Sequence, residues 1–338
     1  MKEIKELLFS LCERDAVGNV SSAADFAFEI LKKYTQAKKS DNLTVIGTLK
    51  GESEYTLMLD AHIDEVAFVV TDVDDEGFLT VAKCGGIDLR TLPAKRVTVH
   101  GREKVTGVFC SAPPHLSNGE TEYSDISKLK IDTLLGGKAK EIISVGDFVT
   151  SDTSPASLLS DRVTSKAVDD RAGVVCLLEL ARRFSGKKLP ITVKFAVCDA
   201  EELGTRGSKT AAFRINPDEA IAIDVSFGDG PDISEEECGK LSEGAMIGYS
   251  PALDGVISKK LTNIAKKNGI PAQSEIMGAR TGTDADVISV TRQGVRTGLV
   301  SIPLRNMHTS AEVVDSRDIK AVCDLLEKYI LSGGVMND

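Results

Sequence analysis

Three features that would indicate particular classes of protein are absent from this sequence. No apolar run approaches the length of a membrane span, so we expect no membrane partner. No block of lysine and arginine offsets the formal net charge of -10. Because nucleic-acid-binding proteins carry a basic face, we expect no nucleic-acid partner. The first residues mix acids with bases and contain no continuous apolar segment, so we expect no secretory signal peptide.

The seven cysteines are scattered along the chain and form no CxxC pair. An odd number of cysteines, spread widely over a long chain, is typical of reduced thiols rather than of a disulfide framework. Cys176 and Cys198 lie within apolar runs, and we expect both to be small core residues. This cysteine usage predicts a cytoplasmic protein.

A chain of 338 residues, with 42% hydrophobic and 27% charged residues, is long enough for two globular domains. Over 66–161, short β-like segments alternate with glycine and proline turns, without a long amphipathic helix. Over 1–65 and 162–338, strand and helix patterns alternate, which indicates a parallel or mixed sheet covered by helices. We therefore predict an α/β protein: a mixed-sheet domain (1–65 and 162–338) interrupted by a smaller all-β, barrel-like domain (66–161).

Hydrophobic periodicity predicts the main elements of the α/β part. An opening amphipathic helix is predicted because Ile4, Leu7, Leu8 and Leu11 fall on one helical face, and further helices are predicted at residues 22–34, 169–184, 255–267, 284–291 and 316–331. The predicted strands span residues 43–49, 55–59, 191–197, 220–225 and 297–302. Ligands bind at the carboxyl ends of the strands in an open α/β sheet. Polar residues that follow a predicted strand are therefore the first candidates for a functional site.

An adjacent pair of glutamates, Glu201 and Glu202, follows the strand predicted at 191–197. Because side chains alternate in direction along an extended chain, one carboxylate can face a metal ion while the other faces a water molecule. The alternative is a pair of solvated acids in a loop, which is the ordinary position for glutamate. The pair alone does not decide between these interpretations.

Four further segments place imidazole or carboxylate groups at strand ends or helix starts. The residues concerned are His62, Asp64, Asp169, Asp224 and His308. Zinc and similar ions favour such a mixture of ligands. Each residue also has a structural interpretation: Asp169 could cap a helix, Asp224 could close a turn, and either histidine could be a hydrogen-bonded structural residue. His100 and His115 have no acidic neighbours at ligand spacing, and we interpret both as structural.

The segments LDAHIDEVAFVV, SKAVDDRAGV, CDAEELGTRGS, AIAIDVS and RNMHTSAEVVD occur in this order along the chain. Together they resemble the dinuclear-metal aminopeptidases of the glutamyl or deblocking type, the self-compartmentalising tetrahedral peptidases. The resemblance extends over essentially the whole chain. It implies two divalent metal ions per subunit, with zinc or cobalt expected and manganese also compatible with these ligands.

The resemblance assigns a role to each candidate. Asp169 would bridge the two ions, Glu202 and His308 would complete one site, and His62 and Asp224 would complete the other.

Glu201 would be the general base. It would remove a proton from a water molecule held by the metal ions, which leaves a hydroxide. Asp64 would accept the second ring N–H of His62 and so fix the imidazole tautomer.

The segment around Thr283 and Asp284 corresponds to a family segment near the substrate pocket, although a helix N-cap would explain both residues equally well. Arg280, just upstream, could meet an acidic side chain of a substrate. The chain departs from the usual family pattern at Asp199-Ala200, at Leu203 and at Thr309-Ser310. None of these departures falls on an inferred ligand, so they bear on side-chain preference rather than on the reaction.

The leading hypothesis is therefore a cytoplasmic metal-dependent aminopeptidase that acts on peptide substrates. The alternatives are a related metal-dependent deacylase or carboxypeptidase-like hydrolase, and a non-catalytic assembly scaffold on the same fold. A cellulase is a weaker alternative, because the acids are accompanied by two histidines rather than forming a bare acid/base pair. The family implies a homo-oligomer in which dimers assemble into a tetrahedral dodecamer, with the insertion contributing to dimer contacts.

Overall fold

The computed structural model describes residues 1–40, 44–111, 113, 115, 125–231 and 233–336. Residue 43, the first residue of one predicted strand, lies outside these ranges. The helices are α1 (Lys2–Cys12), α2 (Ser22–Tyr34), α3 (Ala139–Ile142), α4 (Val168–Phe184), α5 (Arg206–Ile215), α6 (Gly255–Asn268), α7 (Ala285–Ser289) and α8 (Ser316–Leu331).

Seventeen strands, in the part of the chain that the structure describes, form two separate sheets. Those of the larger sheet are β1 (Gln36–Lys39), β2 (Val45–Leu49), β3 (Thr56–His62), β10 (Ala156–Ser157), β11 (Arg162–Ser165), β12 (Thr192–Cys198), β13 (Glu219–Phe227), β14 (Ala245–Tyr249), β15 (Ala272–Ile276), β16 (Arg296–Arg305) and β17 (Glu312–Asp315). Those of the smaller sheet are β4 (Ala67–Val73), β5 (Leu79–Cys84), β6 (Arg96–His100), β7 (Lys104–Phe109), β8 (Ile131–Asp132) and β9 (Phe148–Ser151).

The larger sheet is mixed, with the order β1-β2-β12-β3-β13-β16-β17-β11-β10 and with β14 and β15 branching from β16. Its four central strands, β12, β3, β13 and β16, are mutually parallel. On either side of them, β2 pairs with β12 and β17 pairs with β16 in antiparallel orientation. Because the four parallel strands end at the same edge of the sheet, residues that follow them come together there.

Helices cover both faces of the large sheet, and the alternation of side chains along the central strands supplies two cores. On β3, Leu57 and Leu59 join the main core, whereas Met58 points into a smaller core on the opposite face. α4 lies in the main core and is buried along nearly its whole length. The smaller core receives Ala211 and Ala212 from α5. These cores hold the parallel strands, and therefore their carboxyl ends, in fixed positions.

The smaller sheet closes into a barrel in the order β4-β5-β8-β7-β6-β9. Its interior forms a core of its own, in which the rings of Phe68 and Phe109 meet edge to face with centroids 5.1 Å apart. The predicted insertion, 66–161, contains all six barrel strands. It also contains β10, which pairs with β11 in the large sheet. The structure thus confirms the predicted fold class: a mixed-sheet α/β architecture with a separate β-barrel.

The structure also describes the state of the cysteines and the apolar character of the helices. All seven cysteines are free, and Cys176 and Cys198 are fully buried as predicted. Within the described residues, no helix combines the length and the apolar character that a membrane crossing requires.

Candidate metal centre

The carboxyl edge of the four parallel strands gathers most of the predicted site residues. His62 is the last residue of β3, Asp224 lies near the end of β13, Glu201 and Glu202 follow β12, and His308 follows β16. Four elements that are distant in sequence but adjacent in the sheet therefore deliver polar side chains to one place.

Asp169 lies at the start of α4 and completes two groups of donor atoms. Its Oδ1 lies 3.0 Å from Nε2 of His62, which in turn lies 3.9 Å from Oδ1 of Asp224. Its Oδ2 lies 3.2 Å from Nε2 of His308, and the same nitrogen lies 3.2 Å from Oε1 of Glu202. Within each group all three donor atoms lie within 4.8 Å of one another. The two oxygens of one carboxylate thus face two different histidines.

Glu201 lies beside these groups and belongs to a third set of donors, with His62 and Glu202. Burial raises the pKa of the Glu201 carboxyl to about 8, and the carboxylates of Asp284 and Glu202 act in the same direction. A carboxyl group with a pKa near neutrality can both accept and donate a proton at physiological pH.

Asp64 contacts the backbone of the glutamate pair rather than the ring of His62. Its Oδ1 accepts the backbone N–H of Glu201 at 3.0 Å, and its Oδ2 accepts that of Glu202 at 3.2 Å. The distance from Oδ1 to Nδ1 of His62 is 3.5 Å, which is longer than an ordinary hydrogen bond. The predicted role of Asp64 toward the imidazole stays a prediction, while its contact with the glutamate loop is a structural fact.

The electrostatics of the cluster fit a site for divalent cations. Burial, together with neighbouring carboxylates, raises the pKa of Asp224 well above its usual value. Burial opposes protonation of His308, yet the carboxylates of Asp169 and Glu202 raise its pKa to about 11. So many buried acids at close range favour binding of positive charge. Two imidazoles and three carboxylates form a donor set that suits zinc, cobalt or manganese.

Comparison with known proteins agrees with this geometry. The model of the M42 glutamyl aminopeptidase family matches residues 44–325. The chain belongs to this family. Its membership confirms the resemblance seen in the sequence, and it identifies the chain as a peptide hydrolase from a metal-dependent family.

Individual relatives of this M42 chain cover nearly its whole length. It is 32% identical to the lysyl aminopeptidase of Pyrococcus furiosus over 311 residues, with 87% of each chain covered. An aminopeptidase from the archaeon Desulfurococcus kamchatkensis superposes with a TM-score of 0.91 at 32% identity, covering 98% of this chain and 95% of that chain. The TET1 peptidase of Pyrococcus horikoshii, which can assemble into a tetrahedron or a large octahedral shell, superposes with a TM-score of 0.87 at 27% identity, covering 97% and 99%.

A cavity of about 1540 Å³ adjoins the donor groups of the M42 chain. Apolar side chains such as Phe227 and Met307 line it together with polar ones, including Thr283 and Arg280. Phe227 and Met307 were not predicted, because no sequence pattern marks a residue that lines a pocket between distant loops. Ligand sites are typically clefts of this kind, lined by apolar side chains with a few polar groups.

Thr283 and Asp284, which were predicted near the substrate, occupy different environments. Thr283 lines the cavity, and its hydroxyl oxygen accepts the backbone N–H of Ala285 at 3.2 Å. Asp284 is only 3% exposed and accepts a hydrogen bond from the hydroxyl of Ser208. Thr283 therefore faces the cavity, whereas the carboxylate of Asp284 is buried in the protein next to Thr283.

A buried network of charges, which was not predicted from the sequence, adjoins the centre. Nζ of Lys166 lies 2.6 Å from Oδ1 of Asp15 and 2.9 Å from Oε2 of Glu65, and Oε1 of Glu65 accepts a hydrogen bond from Arg171 at 2.8 Å. Their position could have been inferred, because Glu65 follows the segment of His62, and Lys166 and Arg171 flank Asp169. This network joins the two backbone segments that carry these ligands.

Proposed function

We propose that this protein is a dinuclear metal-dependent aminopeptidase, which removes N-terminal amino acids from peptides. The observation that carries the proposal is the position of Asp169, whose two oxygens belong to two separate donor groups. A carboxylate that faces two histidines in this way is suited to bridge a pair of ions. Membership of the M42 family supports the reaction class.

Each ion would be held by three side chains of this chain. His62, Asp169 and Asp224 would hold one ion, and Asp169, Glu202 and His308 would hold the other. Bound there, zinc or cobalt supplies a Lewis acid that polarises the scissile carbonyl and lowers the pKa of water.

Glu201 performs the proton transfers. Its carboxylate oxygen accepts a proton from the attacking water while the water oxygen bonds to the scissile carbonyl carbon. Glu201 then donates that proton to the nitrogen of the leaving peptide as the carbon–nitrogen bond breaks. Glu201 lies beside the two donor groups that contain Asp169 and belongs to neither, so its carboxylate is free for both steps.

The restriction to N-terminal residues would come from the free α-amine of the substrate, which would bind beside the acidic cluster. Relatives of the chain include a lysyl aminopeptidase from Pyrococcus furiosus and a glutamyl aminopeptidase from Lactococcus lactis. These names describe opposite side-chain charges, so they support the common reaction rather than one preferred residue.

The test compares a free-amine peptide with its N-acetylated form, using the enzyme reconstituted with zinc or cobalt. We expect hydrolysis of the free-amine peptide only, and loss of this activity after a chelator removes the metal. Preferred cleavage of the acetylated peptide would instead indicate a deacylase or a carboxypeptidase-like hydrolase.

We also propose a homo-oligomer, in which residues 66–161 contribute to dimer contacts and dimers assemble into a dodecamer. Two structural neighbours support assembly: a TET1 dodecamer, and the TET1 peptidase of Pyrococcus horikoshii, which forms a tetrahedron or a large octahedral shell. Light scattering on the purified protein should give about twelve times the subunit mass of 36.1 kDa. A particle of one or two subunits would contradict it.

A further inference from the structure

Glu312, the first residue of β17, connects the two loops that carry Asp169 and His308. Its Oε2 accepts the backbone N–H of Val168 at 2.7 Å and that of Asp169 at 3.2 Å. Its Oε1 accepts the backbone N–H of His308 at 2.8 Å. The side chain is 2% exposed, so these hydrogen bonds form without competition from solvent.

In both loops that Glu312 contacts, one residue has a backbone conformation that neighbouring contacts must stabilise. His308 has a φ of 61°, and Ala167, which precedes Val168, has a φ of 54°. For residues other than glycine, the left-handed region is unfavourable, and such conformations persist only when surrounding contacts hold them. One carboxylate therefore accepts the N–H of His308, which is itself strained, and the N–H of Val168, which follows the strained Ala167.

The other donor group has a different support. His62 and Asp224 lie on β3 and β13, which are parallel neighbours with Asp60 paired to Ala222 two residues earlier on each strand. His62 itself is paired with Cys198 of β12, and Asp224 with Ser301 of β16, so both ligands are held within paired strands. His308 follows the end of β16, where strand pairing no longer holds the chain.

We propose that Glu312 is a positioning residue that sets the distance between His308 and Asp169, and thereby controls the affinity of one metal ion of the pair. The ion concerned is the one in the group formed by Asp169, Glu202 and His308. This inference rests on the proposed dinuclear site. It adds that a residue that contacts neither ion can change the affinity of one ion more than that of the other.

Two substitutions separate the length of the Glu312 side chain from the chemistry of its carboxyl group. Glu312→Gln leaves a single acceptor oxygen, so an amide NH2 faces the backbone N–H groups on one side. Glu312→Asp keeps the carboxyl group with both oxygens, but its shorter side chain cannot reach both loops. If Glu312 acts by position, both variants weaken the same ion.

Asp318 provides a matched control, because it is also a buried carboxylate that accepts two backbone N–H groups. It is 1% exposed and accepts the N–H groups of Ser242 and Gly244, each at 2.8 Å. Asp318→Asn should lower stability through the same kind of loss, with no effect on metal affinity.

The experiment titrates cobalt(II) into the metal-free, full-length variants by calorimetry, and follows the visible absorption of the bound cobalt. In both Glu312 variants we expect the ion of the Asp169, Glu202 and His308 group to bind about 10- to 100-fold more weakly, with a clearly smaller change at the other ion, which shares only Asp169 with that group. The altered isotherm should match that of His308→Ala rather than that of Asp224→Asn. Thermal unfolding of each metal-free variant checks that the protein is folded.

Equal weakening of both ions, or wild-type affinities in folded Glu312 variants, would overturn the positioning role. If Glu312→Gln does not fold, Glu312→Asp decides by the same criteria, and failure of both variants to fold shows a role in folding instead and overturns the proposal. A wild-type protein that binds only one cobalt ion would overturn the proposed dinuclear function itself, independently of the variants.

Discussion

Asp64 accepts the backbone N–H of Glu201 with Oδ1 at 3.0 Å, while its other oxygen accepts the N–H of Glu202. One carboxylate thereby holds the turn from which both the proposed base and a proposed ligand project. Asp64 is 3% exposed, so water cannot replace these hydrogen bonds.

Asp64→Asn should therefore impair catalysis by misplacing Glu201. An amide has one acceptor oxygen instead of two, and a displacement of about 1 Å in a catalytic group can cost about 100-fold in rate. We expect a fall of that order in kcat with a smaller change in KM, measured on a peptide anilide with saturating metal. Asp318→Asn is the control, because each oxygen of the buried Asp318 also accepts one backbone N–H group. A fully active Asp64→Asn enzyme would show that this contact does not position the base.

Substitution of the shared ligand should differ from substitution of an unshared one. Asp169→Asn removes charge from both donor groups, whereas Asp224→Asn affects only the group with His62. Metal analysis after equilibration with limiting zinc should show loss of both ions in the first variant and of one ion in the second. Equal metal contents in the two variants would argue against a bridging Asp169.

Lys166→Met should destabilise the protein. Its ammonium lies 2.6 Å from Asp15 and 2.9 Å from Glu65, with only 5% of the Lys166 side chain exposed. Removing one partner of a buried ion pair leaves uncompensated charge and costs about 3–5 kcal/mol. Urea unfolding of the metal-free protein measures the loss. Lys2→Met is the control, because its pair with Glu6 spans 3.8 Å at the surface and should contribute almost nothing.

The same network predicts a contribution of Asp15 to stability that depends on pH. Burial alone would raise the pKa of Asp15, but the charge and the hydrogen bond of Lys166 lower it below the usual 3.8, and His100 and Lys104 act in the same direction. Because the folded pKa is below the unfolded one, this contribution is present above the unfolded pKa and lost as the pH falls below it.

Urea unfolding of metal-free wild type and of Asp15→Asn should therefore give a difference in unfolding free energy that shrinks from about pH 5 towards pH 2. Taking the difference between the two proteins cancels the groups that they share. A difference that stays constant over this range would show that Asp15 has an ordinary pKa in the folded protein.

Much of the fold was predictable, because strong periodicity and end signals agree. The helix predicted at 22–34 is α2, and the one predicted at 316–331 is α8, with the same bounds. Helix α5 (Arg206–Ile215) was missed because it directly follows the polar loop of Glu201 and Glu202. Strand β15 (Ala272–Ile276) was also missed, since it is an edge strand with mostly exposed residues, and exposed edges carry little hydrophobic signal.

Some residues of the candidate site could be predicted from the sequence, and others could not. Chemistry-bearing residues at strand ends could be found from the pattern alone, because the sheet gathers those ends. The contacts of Glu312 could not, since a glutamate that binds three backbone N–H groups differs in no local way from a solvated one. Likewise, no periodicity distinguishes Thr283, which faces the cavity, from the buried Asp284 beside it.

The most direct test of the central claim is metal content and peptidase rate measured on one sample of Glu201→Gln. The amide is nearly isosteric but cannot accept the proton of the attacking water. We predict two bound ions per subunit, as in the wild type, and a kcat lower by about 10²- to 10⁴-fold. A variant with both ions bound and with undiminished activity would contradict the account.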